Sequence, residues 1–198
     1  MEKNKRFKKF LKIWRLSEGL LKQGREGDVT HAKEVVNFIL GYQGKLKLDL
    51  DILIPAAMMH DIGHSAILNN HFKYITGYKK LINGKLVHML AGAKIAKDIL
   101  KQVNYNKVKS EEIIDIISMH DADQLTGFEW KRVYNTENKR IFHDIDVLDR
   151  FKQKRLKSFR ALYPNEKQLT KIVKEQLKTF FYKEFKDIAS ERLKSLFK

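Results

Sequence analysis

No cysteine occurs in the 198 residues. Disulfides, thiolate metal sites and cysteine nucleophiles are therefore excluded, and any metal must be held by nitrogen and oxygen. Proline is nearly absent, at two residues, and glycine is sparse, at ten, so long stretches are left without helix breakers. No apolar run approaches the roughly 18 residues a membrane span needs. The N-terminal MEKNKRFKKFLKIWRL lacks the uninterrupted apolar core of a signal peptide, so a soluble cytoplasmic protein is expected. Acidic residues are the scarcer charge, 24 against 40 Lys and Arg, for a formal net charge of +16. Such a balance draws nucleotides, nucleic acids or anionic lipid surfaces, although lysines spread along the whole chain also simply solvate it. There is no internal repeat and no low-complexity linker.

What is present is apolar residues at spacings of three and four, which predicts an all-α helical bundle. A first helix is expected from about Lys5 to Leu21, with Phe7, Phe10, Leu11, Trp14 and Leu21 on one stripe. GREGD breaks it, and Asp28 is expected to cap a second helix to about Leu40. A third runs through ILIPAAMMHD, capped by Asp49 or Asp51, with Pro55 in or near the first turn and Gly63 ending it. A fourth covers Leu86 to Val103, and a fifth opens at Ser110 and ends near His120. FEWKRVYNTENKRI reads as able to make a small β-hairpin near residues 130–142. Helix resumes from about Phe142 to Leu162, and one or two basic helices fill Glu166 to Phe197. The domain reading is an N-terminal helix over 1–27, a core over 28–160 and a basic C-terminal extension over 161–198.

The chemistry concentrates in seven histidines: His31, His60, His64, His71, His88, His120 and His143. Several stand at predicted helix ends, where side chains from distant segments can meet at one point. Adjacent His60 and Asp61 lie about 100° apart around a helix, yet both can reach an ion above the groove between them. The second carboxylate oxygen of Asp61 can then serve another ion. Mixed imidazole and carboxylate donors suit a divalent ion such as Mn, Fe, Co, Ni, Zn or Mg.

The ordered motifs THA at His31, AAMMHDIGH at His60 and Asp61, HMLAGAKIA at His88, ISMH at His120 and HDIDVLDRF at Asp146 resemble the HD-domain superfamily of metal-dependent phosphohydrolases. The resemblance covers roughly Asp28 to Phe151. It implies an HD-domain-like helical bundle with His31, His60, Asp61 and Asp146 as ligands of a first metal. Asp146 is preferred to Asp144 because the family's last aspartate commonly precedes a hydrophobic pair and a further acid, as in D-V-L-D. His88 and His120 match the histidines that add a second metal in two-metal members, with Asp61 bridging, so one or two divalent ions are implied. Asp121 stands where some such relatives have a further histidine; its alternative is a hydrogen bond to a ligand histidine. His64, in the position where many relatives carry lysine or histidine, is the candidate for phosphate contact or proton donation, the alternative being a simple cap. His71 and His143 have no motif support and are read as surface or packing residues.

The activity implied is hydrolysis of a phosphoester or phosphoanhydride by metal-bound hydroxide, with Asp61 and His64 as the catalytic pair and a nucleotide or other small phosphorylated metabolite as substrate. Arg25, Lys94, Arg150 and Lys154 are candidates for offsetting phosphate charge. Two other readings compete: a di-iron oxygenase, and a non-catalytic protein that binds nucleic acid or a membrane surface through basic stretches such as FKQKRLKSFRALYPNEKQ and KNKRFKKFLKIW. A homo-oligomer is compatible with all of them.

Overall fold

The computed structural model describes residues 2–68, 84–125, 129–153, 155 and 165–194. Every regular element among them is helical. In chain order these are α1 (Glu2–Leu21), α2 (Asp28–Gly41), α3 (Leu50–Met59), α4 (Gly63–Leu68), α5 (Gly84–Gln102), α6 (Lys107–Met119), α7 (Glu137–Val147), α8 (Glu166–Leu177) and α9 (Lys183–Lys194), with short 3₁₀ turns at Ala122–Gln124, Trp130–Val133 and Leu148–Phe151. The chain divides into two compact units, Met1–Lys139 and Arg140–Lys198. None of the described helices is long and apolar enough to cross a membrane.

In the first unit α3 is the central rod. Its residues Ile52 to Met59 are all buried, and α1, α2 and α6 pack around it while α4 and α6 pack on α5. Pro55 lies in the interior of α3, not in its first turn. A proline there removes the amide that would bond the carbonyl of Asp51 and costs about 3 kcal/mol. The Tyr105 hydroxyl donates to that carbonyl at 2.7 Å. Burial of Ile52, Leu53, Ile54, Met58 and Met59, at about 1.5–3 kcal/mol for each large side chain, outweighs what is left of the penalty. Asp49 caps the helix, accepting from the Asp51 amide at 3.0 Å.

Several local expectations are corrected. The buried stripe of α1 is Phe10, Ile13, Ser17 and Leu21, whereas Phe7 and Leu11 are exposed. Asp28 is the first residue of α2, preceded by Gly27 in the left-handed conformation (φ 94°), which a side chain would disfavour. The cap of α6 is Asn106, accepting from the Lys109 amide at 3.0 Å, and the Ser110 hydroxyl donates back to the Asn106 carbonyl. Gly63 opens α4 instead of closing α3. The hairpin over 130–142 does not form: Trp130–Val133 is a 3₁₀ turn and α7 begins at Glu137. Thr136 accepts from the Lys139 amide at 3.3 Å, so NTEN is a helix start with an acid in its first turn. The buried Lys139 ammonium donates to Val133 O and Asn135 Oδ1 and pairs with Asp115, which fixes this turn on α6.

In the second unit α7 tightens into the 3₁₀ turn at Leu148, and the expected helix end near Leu162 lies outside the described residues. Arg192 of α9 donates to the Leu148 carbonyl at 2.8 Å. The fully buried Asp144 carboxylate accepts the amides of Phe181 (3.0 Å) and Tyr182 (2.8 Å), just ahead of α9.

Candidate metal centre

Helices α3 and α6 end alike, in Met59-His60-Asp61 and Met119-His120-Asp121. Each histidine is the C-cap, and each turns its ring back onto its own helix. His60 Nδ1 lies 3.0 Å from Ala57 O, and His120 Nδ1 lies 2.9 Å from Ile117 O. A carbonyl only accepts, so both rings carry a proton on Nδ1 and turn Nε2 toward the cluster, the atom a metal would take. The Tyr134 hydroxyl donates to His120 O at 2.9 Å and pins the end of α6.

His88 arrives from the first turns of α5, and glycine explains how. A Cβ built on Gly63 would stand 1.9 Å from His88 O and 2.6 Å from Gly92 N. Only glycine lets the corner between α3 and α4 rest directly on the α5 backbone, which brings the HDIGH segment within reach of His88. His31, on α2, meets His60 edge to face, with ring centroids 4.9 Å apart.

Asp61, only 4 % exposed, is the hub. Its Oδ2 is 3.5 Å from His60 Nε2 and 2.8 Å from Arg25 Nη2. Its Oδ1 is 3.5 Å from His64 Nε2, 3.6 Å from His120 Nε2 and 3.8 Å from His88 Nε2. His88 Nε2 and His120 Nε2 are 3.3 Å apart. Two donor groups result, His31 with His60 and Asp61, and Asp61 with His88 and His120, the atoms of each group lying within 4.8 Å of one another. His64 stacks on His88 at 4.1 Å between centroids. The second oxygen of Asp121 is 3.9 Å from His88 Nε2, beyond hydrogen-bond range, while its first accepts from Gln124 Nε2 at 2.5 Å.

The electrostatics favour ionised Asp61 and neutral His88. Burial is the largest influence on Asp61 and pushes its carboxyl up. The charge of His60, with the polar contacts of His120 and His64, outweighs burial and holds it well below the usual carboxylate range. Burial, then the proximity of His120 and His64, lowers the His88 pKa from 6.5 to about 2. A carboxylate and imidazole nitrogens converging in a buried cluster fit a divalent cation.

Asp146 lies on α7 in the second unit and is 8 % exposed. Asp144 is occupied in that unit by His143 Nδ1 at 2.9 Å and by the amides before α9. His143 is fully buried and packs its ring on Phe181. Of the candidate cations, Arg25 pairs with Asp61, whereas Arg150 donates to Gln176 in the second unit. His71 and Lys154 lie outside the described residues. Sequence reasoning missed that Asp28 holds Arg25 and that Gly63 is a contact point. The first had a signal, an acid three residues after an arginine inside the glycine-bracketed GREGD.

A family model described as HD domain matches residues 28–151. Comparison with curated proteins gives no match, and comparison with solved structures gives none either. With that match spanning most of the chain, and with its His-Asp pair seated at the meeting point of the histidines of α2, α5 and α6, the protein belongs to the HD-domain family.

Proposed function

We propose that the protein is a metal-dependent phosphohydrolase acting on a nucleotide or another small phosphorylated metabolite. The observation that carries the reading is the sharing of one buried carboxylate, Asp61, by two histidine-containing donor groups. In this reading His31, His60 and Asp61 hold one divalent ion, and Asp61, His88 and His120 hold a second. A bound divalent ion lowers the pKa of water from 15.7 toward about 7 and offsets phosphoryl charge. The Nδ1 contacts of His60 and His120 fix the rings before any ligand arrives, so little reorganisation is needed at the site. His64, 13 % exposed at its side chain and 3.5 Å from Asp61 Oδ1, is the residue suited to give a proton to the leaving oxygen. The net charge of +16 draws anionic substrates toward the protein at low salt.

The test is metal analysis of the purified protein followed by a screen of phosphate release from nucleotides and phosphoesters with each divalent ion. Release that is abolished by chelation and by Asp61→Ala is expected. Turnover with redox-inert Mg or Zn separates hydrolysis from di-iron oxidation. No release from any compound with any ion would overturn the proposal.

A further inference from the structure

The loop between α1 and α2 is built around a cation. The Asp28 carboxylate, 3 % exposed, accepts from the Arg25 amide at 2.8 Å through Oδ2 and from Arg25 Nε at 3.1 Å through Oδ1. A Cβ on Gly24 would fall 2.7 Å from Asp28 Oδ2 and 3.3 Å from His64 Cβ, so glycine is what allows the loop to close on this carboxylate. Held along one edge by Asp28, the guanidinium extends Nη2 to Asp61 Oδ2 at 2.8 Å. Half of the Arg25 side chain nevertheless stays exposed, beside a cluster in which Asp61, His60, His88 and His120 are buried.

Neutralising Asp61 would require only the contact with Asp61. Here a second, buried carboxylate is spent on orienting the guanidinium, which is the arrangement that phosphoryl recognition needs: a rigid fork with donors beyond those already bonded, facing solvent next to the reacting centre. Oδ2 of Asp61 is also the oxygen on the His60 side. Arg25 therefore shares a donor atom with any cation held by that group and repels it.

We propose that Arg25, oriented by Asp28, forms an anion subsite that takes a phosphoryl group through its guanidinium and competes with the divalent cation for Asp61. The proposal rests on the metal-dependent reading above. It gives effects of opposite sign on two ligands. In Arg25→Ala the cation binds several-fold more tightly, because a positive charge has left its donor oxygen, while phosphate binds about tenfold or more weakly, the loss expected for a charge-assisted contact. In Arg25→Lys the charge remains and the fork is lost, so cation affinity stays close to wild type and phosphate affinity falls. In Asp28→Asn the cation stays charged and loses its support, and phosphate again weakens.

The experiment is calorimetric titration of the full chain with Mn(II) alone, then with inorganic phosphate at saturating Mn(II), for wild type and the three variants. Tighter Mn(II) with weaker phosphate in Arg25→Ala supports the subsite. Weaker Mn(II), or unchanged phosphate affinity, in Arg25→Ala overturns it and makes Arg25 a plain structural support. Should Arg25→Ala not fold, unchanged phosphate affinity in Arg25→Lys overturns it equally. A wild-type protein that takes up no Mn(II) sinks the metal reading and the subsite with it, whereas normal Mn(II) uptake with unaltered variants sinks the subsite alone.

Discussion

His88 shows how much one side chain's surroundings decide. Because burial and two neighbouring histidines lower its pKa from 6.5 to about 2, the folded protein resists a proton that the unfolded chain accepts. Between those values the unfolded state binds more protons, so stability rises with pH and is lost on acidification, by up to about 1.4 kcal/mol per pH unit. The depressed Asp61 carboxyl acts in the same direction at lower pH. Chelator-treated protein should therefore show a thermal midpoint that falls from pH 7 to pH 5, with a shallower fall in His88→Gln. Equal slopes in the two proteins would contradict this assignment of the buried neutral imidazole. At this scale His31, His60, Asp61, His88 and His120 were readable in the sequence as a convergent set because they sit in short motifs whose order resembles one family. Arg25 was readable only as one of four cations. Its meaning depends on how closely Gly24 lets the loop approach Asp28, and that distance has no counterpart in spacing along the chain.

The helices themselves were legible as apolar spacing, and their termini were less so. Asn106 competes with Ser110 for the start of α6, and NTEN serves a hairpin as well as a helix until Lys139 is seen bonded to the 133–135 turn. Pro55 is the clearest case. A proline signals the first turn of a helix unless something else satisfies the carbonyl it orphans, and that partner, Tyr105, lies 54 residues away from Asp51. Burial first, then Asp51 and Asp49, raises the Tyr105 pKa, so the hydroxyl keeps its proton to donate. Tyr105→Phe should cost about 1–3 kcal/mol by leaving the Asp51 carbonyl without its partner. In a Pro55→Ala background residue 55 regains an amide for that same carbonyl, and the cost of Tyr105→Phe should shrink markedly. A double-mutant cycle by urea unfolding measures the coupling. Strict additivity would mean that the hydroxyl does not compensate for the proline.

For the molecule as a whole, the shared carboxylate makes the two donor groups depend on one residue. His31 belongs to one group and His88 to the other, while Asp61 belongs to both. Any ion that binds the folded chain and not the unfolded one stabilises it by about 2.7 kcal/mol at a hundred times its Kd. For a chain of this size that is a rise in thermal midpoint of roughly 5–10 °C. Without ion, removing Asp61 relieves a buried charge as well as a ligand, so comparison of bare midpoints is uninformative and the ion-dependent increment is the quantity to follow. Titrating Mn(II) into wild type should give a biphasic rise and two bound ions. His31→Ala and His88→Ala should each lose one ion and part of the increment, and Asp61→Ala should lose both ions and nearly all of it. Because one residue serves both groups, the Asp61 loss should match that of the His31→Ala, His88→Ala double variant and not a single one. Retention of one tightly bound ion by Asp61→Ala, with half the increment intact, would show that the two groups do not depend on a common carboxylate.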